Sequence, residues 1–154
     1  MKVLVENISR GSAVTDENRI ALPQGIIGFK NYTRGELLYV PDHLPFLWLK
    51  LEGGGEPVHF CVIEPAGIIA DYELEIFDED AGSLELKRPE DALILNIVTL
   101  RQDSPTDATV NLMGPIVVNR RTHVGRQLVI ANHSRFSSHH QLVSPTHEPL
   151  RASA

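Results

Sequence analysis

Glycine and proline cut this chain into short apolar pieces, and no piece is long or periodic enough to make a substantial helix. Turn-forming residues at 23–25, 41–42, 53–55, 65–67 and 104–105 separate runs that alternate apolar with polar or are continuously apolar. The runs at 3–8, 19–22, 36–40, 46–51, 58–63, 72–77, 93–100, 108–113, 115–118 and 127–131 are rich in Val, Ile, Leu and aromatics, and they read as strands. The best helical piece is 78–86, where Asp78 is placed to cap an acidic first turn and Gly82 and Pro89 confine the rest. Many short strands with one helical turn predict an all-β chain with minor α content. The expected form is a single compact, mainly antiparallel β-barrel-like domain.

At 154 residues one domain is the default, burying roughly 68–70% of the surface its unfolded chain exposes. A hydrophobic fraction of 42% is too high for a disordered chain. The domain is expected to span 1–142. From Ser134 on, serines, prolines and histidines (His133, His139, His140 and His147 among the last residues) mark a segment that cannot build a core, and 143–154 is expected to be a disordered tail. The opening MKVLVENISR lacks the pattern of a secretory leader, and no apolar run is long enough to span a membrane. The lone Cys61 rules out an intrachain disulfide framework and any multi-cysteine zinc site, which fits a reducing, cytoplasmic setting.

Charge is unevenly placed. The formal net charge is −6, yet the segment 71–91 alone carries nine acids against Lys87 and Arg88, a local net of −7. From position 120 onward Arg120, Arg121, Arg126, Arg135 and Arg151 face Glu148 alone. Binding to a phosphate backbone needs clustered Lys and Arg, so this balance argues against nucleic acid and for a basic partner met across one patch. Within the patch, strand alternation sets Asp71, Glu73 and Glu75 on one face and Tyr72, Leu74 and Ile76 on the other. No Lys or Arg follows within the strand to relieve that acidic row, and Asp78, Glu79 and Asp80 extend it. An ordinary solvated strand face would show the same pattern, but lined-up like charges repel unless something basic uses them.

Other chemistries find little support. His133, His139 and His140 have no ligand spacing, and His59 stands alone, so no metal is expected. Cys61 lies in a continuous apolar run, the setting of an inert core thiol. The serines at 9, 12, 137 and 138 lack a nucleophile elbow, and Gly53-Gly54-Gly55 lacks the following helix and Lys-Ser/Thr of a phosphate cradle. No catalytic or cofactor-binding residue is expected.

Pro23-Gln24-Gly25-Ile26-Ile27-Gly28-Phe29, followed by Phe46-Leu47-Trp48-Leu49, resembles the P-x-G-h-x-G-F opening and the next strand of the flagellar assembly factor FliW family. Val62-Ile63-Glu64-Pro65 followed by Asp71-Tyr72-Glu73 resembles its V-I-x-P…D-Y-E segment. Pro89 to Leu95, Ile97-Val98-Thr99, Asn111-Leu112, Pro115 to Asn119 and Gly125-Arg126-Gln127 complete an ordered series from about residue 19 to 142. Gly53 to Gly55 and Met113-Gly114 depart from the family pattern, and the tail after Leu142 matches nothing in it.

The resemblance implies a mainly antiparallel, barrel-like fold and a non-enzymatic regulator. It implies two partners: CsrA, a basic dimeric RNA-binding repressor of flagellin translation, and newly made cytoplasmic flagellin. Flagellin export would free the factor to bind and antagonise CsrA away from the RNA site. By itself such a chain is expected to be monomeric, with no nucleic acid or membrane partner. The residues nominated for partner binding are Asp71, Glu73, Glu75, Asp78, Glu79 and Asp80. Two competing accounts stay open: an export chaperone chiefly for flagellin, which would need an apolar groove more than acids, and a generic β-barrel module binding a basic peptide.

Overall fold

The computed structural model of the chain describes residues 1–7, 18–100 and 107–142. Its elements follow the alternating pattern closely. In chain order they are β1 (Lys2–Leu4), β2 (Arg19–Ala21), β3 (Arg34–Leu38), β4 (Leu47–Glu52), β5 (Val58–Ile63), β6 (Glu73–Glu75), α1 (Asp78–Ser83), β7 (Ala92–Leu100), β8 (Ala108–Val110), β9 (Ile116–Asn119), β10 (Gly125–Gln127) and β11 (His140–Gln141). The strand expected at 127–131 ladders only at its start. Beyond Gln127 the chain stays bonded through Leu128 to Pro115 and Ile130 to Met113, but it aims its next amide, Ala131, at Glu75 of another sheet.

Among the described residues all the strand ladders are antiparallel. The main sheet runs β10-β9-β7-β5-β4-β3-β2, with β8 and β11 branching from β7. Strand β7 is the spine. One of its edges pairs with β5, while the other is shared between β9 along Ala92 to Leu95 and β8 along Val98 to Leu100. A separate two-stranded sheet joins β1 to β6.

Both faces of the central strands are buried, and alternation along them sorts the core into two clusters. Val62, Leu93 and Leu95 join Ile20, Ile26, Leu37, Leu49 and Ile116 on one face, the inner cluster. Cys61, Ile63, Ile94 and Val117 join Val3, Tyr72, Leu74, Ile76 and Leu84 on the other, beneath β1, β6 and α1. Two-sided burial explains why β5 and β7 read as continuous apolar runs although their neighbours are antiparallel, an arrangement that more often leaves one face wet.

The expected barrel is not closed. The sheet curls until its end strands meet, but the meeting is a single parallel bridge between Ala21 and Val124, with the Ala21 amide donating to His123 O at 2.9 Å. Strand β2 pairs its three residues with β3 and makes no ladder with β10 among the described residues. The seam is filled by side chains instead. A Cβ on Gly125 would stand 2.9 Å from Val118 Cγ2 on β9 and 3.3 Å from Ile20 Cγ2 on β2, so a larger residue there would press on both neighbours of β10.

Two further expectations change. Asp78 does not cap α1; Phe77 holds the cap position without a side-chain bond, and Asp78 is the first helical residue. The Ser- and His-rich stretch from 134 does contribute to the core as far as 142. Phe136 stacks edge-on to Tyr72 with centroids 5.0 Å apart, β11 ladders with β8, and Leu142 is buried. The tail expected at 143–154 lies outside the described residues.

Widening the seam residue tests this packing. Gly125→Val forces Val118 and Ile20 apart and is expected to cost about 1–3 kcal/mol, read as a lower urea midpoint with unchanged slope. An unchanged midpoint would show that the seam is not tightly packed.

Candidate protein-interaction surface

Tyr72 positions the acidic segment. Its ring is fully buried, its hydroxyl donates to Leu112 O at 2.6 Å, and it accepts from Asn96 Nδ2 at 3.0 Å. The same Asn96 amide donates to Asn111 O at 3.0 Å, so one buried network ties the entrance of β6 to β7 and to the turn after β8. Burial pushes the Tyr72 phenol pKa well above its usual value, and the Asn96 hydrogen bond offsets this only in part. Leu74 and Ile76 follow Tyr72 into the core, as alternation predicts.

The acids face outward but not as one row of three. Strand β6 holds only Glu73 and Glu75, both half-buried. Asp71 is exposed in a turn with φ +56°, a left-handed conformation that Asp tolerates better than most residues, so it stands beside the row rather than in it. Asp78, Glu79 and Asp80 form the first turn of α1, with Asp78 and Glu79 exposed and Asp80 half-buried.

Relief for these charges comes from distant parts of the chain. Lys2 lies directly opposite Glu75 in the β1–β6 register. The amino group of Met1 stands 3.5 Å from Asp78, and Arg126 Nη1 stands 3.3 Å from Asp80. Of the other acids in the −7 segment, Asp91 is structural. It is buried and accepts from the backbone amides of Lys87 and Arg88, while Arg121 approaches both its oxygens at 3.4 Å. The backbone bond from Lys87 above all, helped by Arg121, holds its carboxyl below the usual range.

Both edges of β6 are occupied. On the side away from β1, Asn132 imitates a strand: its Oδ1 accepts from Glu75 N at 2.9 Å and its Nδ2 donates to Glu73 O at 2.8 Å. The Ala131 amide completes the set on Glu75 O at 2.7 Å. A partner therefore meets side chains here, not an open backbone edge, and recognition falls to the carboxylates.

Residues that pattern reading passed over lie next to the acids. Ile27, Phe77 and Val129 are 66%, 53% and 51% exposed, and all three line one groove of about 460 Å³ that Asp80, Arg126 and Lys30 also border. Phe77 was legible: if 72, 74 and 76 point inward, 77 points outward with the acids. Ile27 and Val129 carried no such signal, because only the fold brings 26–28 and 127–129 together.

Among the described residues no cluster of three or more His, Cys, Asp or Glu is arranged to hold a metal ion. Cys61 is buried mid-strand, and burial pushes its thiol up to about 12, which suits a core residue rather than a nucleophile. No described helix is long and apolar enough to cross a membrane.

Known proteins place this architecture. The family model described as FliW protein matches residues 7–142. The flagellar assembly factor FliW of Natranaerobius thermophilus is 33% identical over 129 residues, covering 84% of each chain. That of Desulfitobacterium hafniense strain DCB-2 is 36% identical over 129 residues, covering 84% of this chain and 83% of its own. A solved structure, titled as the crystal structure of the flagellar assembly factor FliW, aligns with a TM-score of 0.70 at 27% identity, covering 83% of this chain and 87% of its own.

Two measurements test how the surface is held. Tyr72→Phe removes the donor to the buried Leu112 carbonyl and is expected to cost about 1–3 kcal/mol of stability, with surface charge unchanged. Unfolding at the parent midpoint would mean the network holds nothing in place. For Asp91 the lowered folded pKa means its stabilisation is present above the unfolded carboxylate value of about 4 and is lost as pH falls through the folded one. Asp91→Asn should therefore melt lower at neutral pH and show a shallower further loss on acidification; a pH–stability curve parallel to the parent's would contradict the assignment.

Proposed function

We propose, from the premise that this chain belongs to the FliW family of flagellar assembly factors, that it works without catalysis, by switching partners in the cytoplasm. In this reading it binds flagellin while flagellin awaits export. Once released, it binds the basic repressor CsrA and weakens that repressor's hold on message from outside the RNA site. It is a monomer by itself, with no cofactor or metal and no direct contact with nucleic acid or membrane. The described fold would form a single domain ending near 142.

The observation that carries the CsrA half is the acidic face. Glu73 and Glu75 sit on a strand whose backbone is already satisfied, and the exposed Asp71, Asp78 and Glu79 flank them. Acids presented this way offer nothing to a strand-adding partner and a negative field to a basic one. Charges at such an edge mainly raise association rate and fix orientation, and salt weakens them.

Neutralising the face tests this. Asp71→Asn, Glu73→Gln and Glu75→Gln together keep the shapes, and Asn keeps the left-handed turn accessible. With β-rich circular dichroism intact, association with purified CsrA at low salt should slow about ten-fold or more, and its salt dependence should flatten. A variant that binds as fast and as salt-sensitively as the parent would exclude the acidic face as the CsrA site.

A further inference from the structure

The groove between Ile27, Phe77 and Val129 is built rather than incidental. Gly25, at φ +64°, turns the chain so sharply that a Cβ there would stand 2.4 Å from Phe29 O. Within this turn Ile26 is buried in the inner cluster, and Phe29 is clamped edge-on between Tyr32 and Phe60. The Ile27 amide donates to Gln127 Oε1 at 3.0 Å, and Gln127 Nε2 donates onward to Gly114 O at 2.9 Å. Ile27 is thus held at the surface by a rigid turn, where an unconstrained isoleucine would fold back over its neighbours. Phe77 faces it from the residue just before α1, and Val129 comes from the extended stretch after β10.

The charges around the groove select its occupant. Phe77 runs directly into Asp78 and Glu79, both exposed, while Asp80 at the groove wall already holds Arg126. Glu79 has no ion pair among the described residues, and Asp78 keeps a fully exposed side chain although the Met1 amine stands 3.5 Å away, so the carboxylates open to a partner's cation lie at the Phe77 end. Lys30 also lines the groove.

We propose that this groove is a docking site for a basic amphipathic segment of a partner protein, whose apolar side chain seats between Ile27, Phe77 and Val129 while an adjacent Lys or Arg pairs with Asp78 and Glu79. The inference rests on the reading of the acidic face as the edge that meets a basic partner. It supplies what that face lacks, since exposed charges steer but buried apolar anchors hold. The groove lies at the α1 end of the face, so one segment can engage both.

The test uses the full chain and three labelled peptides of equal length, amphipathic Leu/Lys, Ser/Lys and Leu/Glu, followed by fluorescence anisotropy. The Leu/Lys peptide should bind at least about ten-fold more tightly than either control, and the Ile27→Ser/Phe77→Ser double variant should lose that margin. Both residues are exposed, so the variant should keep the parent's thermal midpoint. Ser/Lys binding as tight as Leu/Lys, or parent-like Leu/Lys binding by the double variant, would overturn the proposal. So would sedimentation showing a parent dimer that the double variant loses, because the groove would then be occupied by a second copy. Running the double variant and the Asp71→Asn/Glu73→Gln/Glu75→Gln variant against CsrA separates the two claims. If only the acidic variant weakens, the groove assignment fails and the acidic face stands. If only the groove variant weakens, the groove stands and the acidic face fails.

Discussion

The buried hydroxyl of Tyr72 is the point on which the acidic surface depends. A phenol taken fully out of water must find partners, and Tyr72 finds two: the Leu112 carbonyl and the Asn96 amide. Those partners belong to the turn after β8 and to the spine strand β7, so satisfying one hydroxyl fixes where the small β1–β6 sheet lies on the large one. Phe136 closes over the ring from the C-terminal stretch. Once Tyr72 is fixed inward, Glu73 and Glu75 have no choice but to point outward, and the next outward position falls to Phe77. The acidic face is thus set by a residue that lies beneath it.

Much of the architecture was readable because it obeys local rules. The in-out alternation from Tyr72 to Ile76 is matched by burial, and continuous runs such as 93–98 became the strand with both faces covered. What could not be read is what only the tertiary structure joins. Barrel closure depended on whether β2 and β10 would ladder, and among the described residues the two ends meet through one bridge, Ala21 to Val124, in place of a ladder. Asn132 acting as a strand for β6 could not be foreseen, since the residue sits 57 positions away from the amide it accepts from.

The acidic patch shows the same division at finer scale. Composition located it, and alternation oriented Glu73 and Glu75. The left-handed turn at Asp71 broke the expected row because backbone sign, unlike burial, leaves no trace in a pattern of apolar and polar letters. No Lys or Arg lies within the strand, but the acidic field is relieved from elsewhere in the chain, by Lys2, the Met1 amine and Arg126. These contacts divide the acids by the cost of recruiting them. Asp80 is half-buried and paired, so a partner's cation must compete with Arg126 for it. Asp78 keeps a fully exposed side chain despite the nearby amine, and Glu79 is exposed, so both can be paired with little desolvation.

That ordering bears on how a small, moderately charged surface can bind selectively. Exposed ion pairs contribute about 0–1 kcal/mol each, so even several of them cannot hold a partner against the entropy of association. Affinity must then come from apolar area that is already in place before the partner arrives, and rigidity there lowers the ordering cost. Ile27 meets that requirement because its turn is fixed on three sides: Gly25 bends it, Ile26 roots it in the inner cluster, and Gln127 holds its amide. The glycine that bends this turn and the glycine that closes the β2–β10 seam belong to segments packed side by side. The packing where β2 meets β10 is therefore continuous with the packing that presents the exposed isoleucine, and a change that loosens the first should loosen the second.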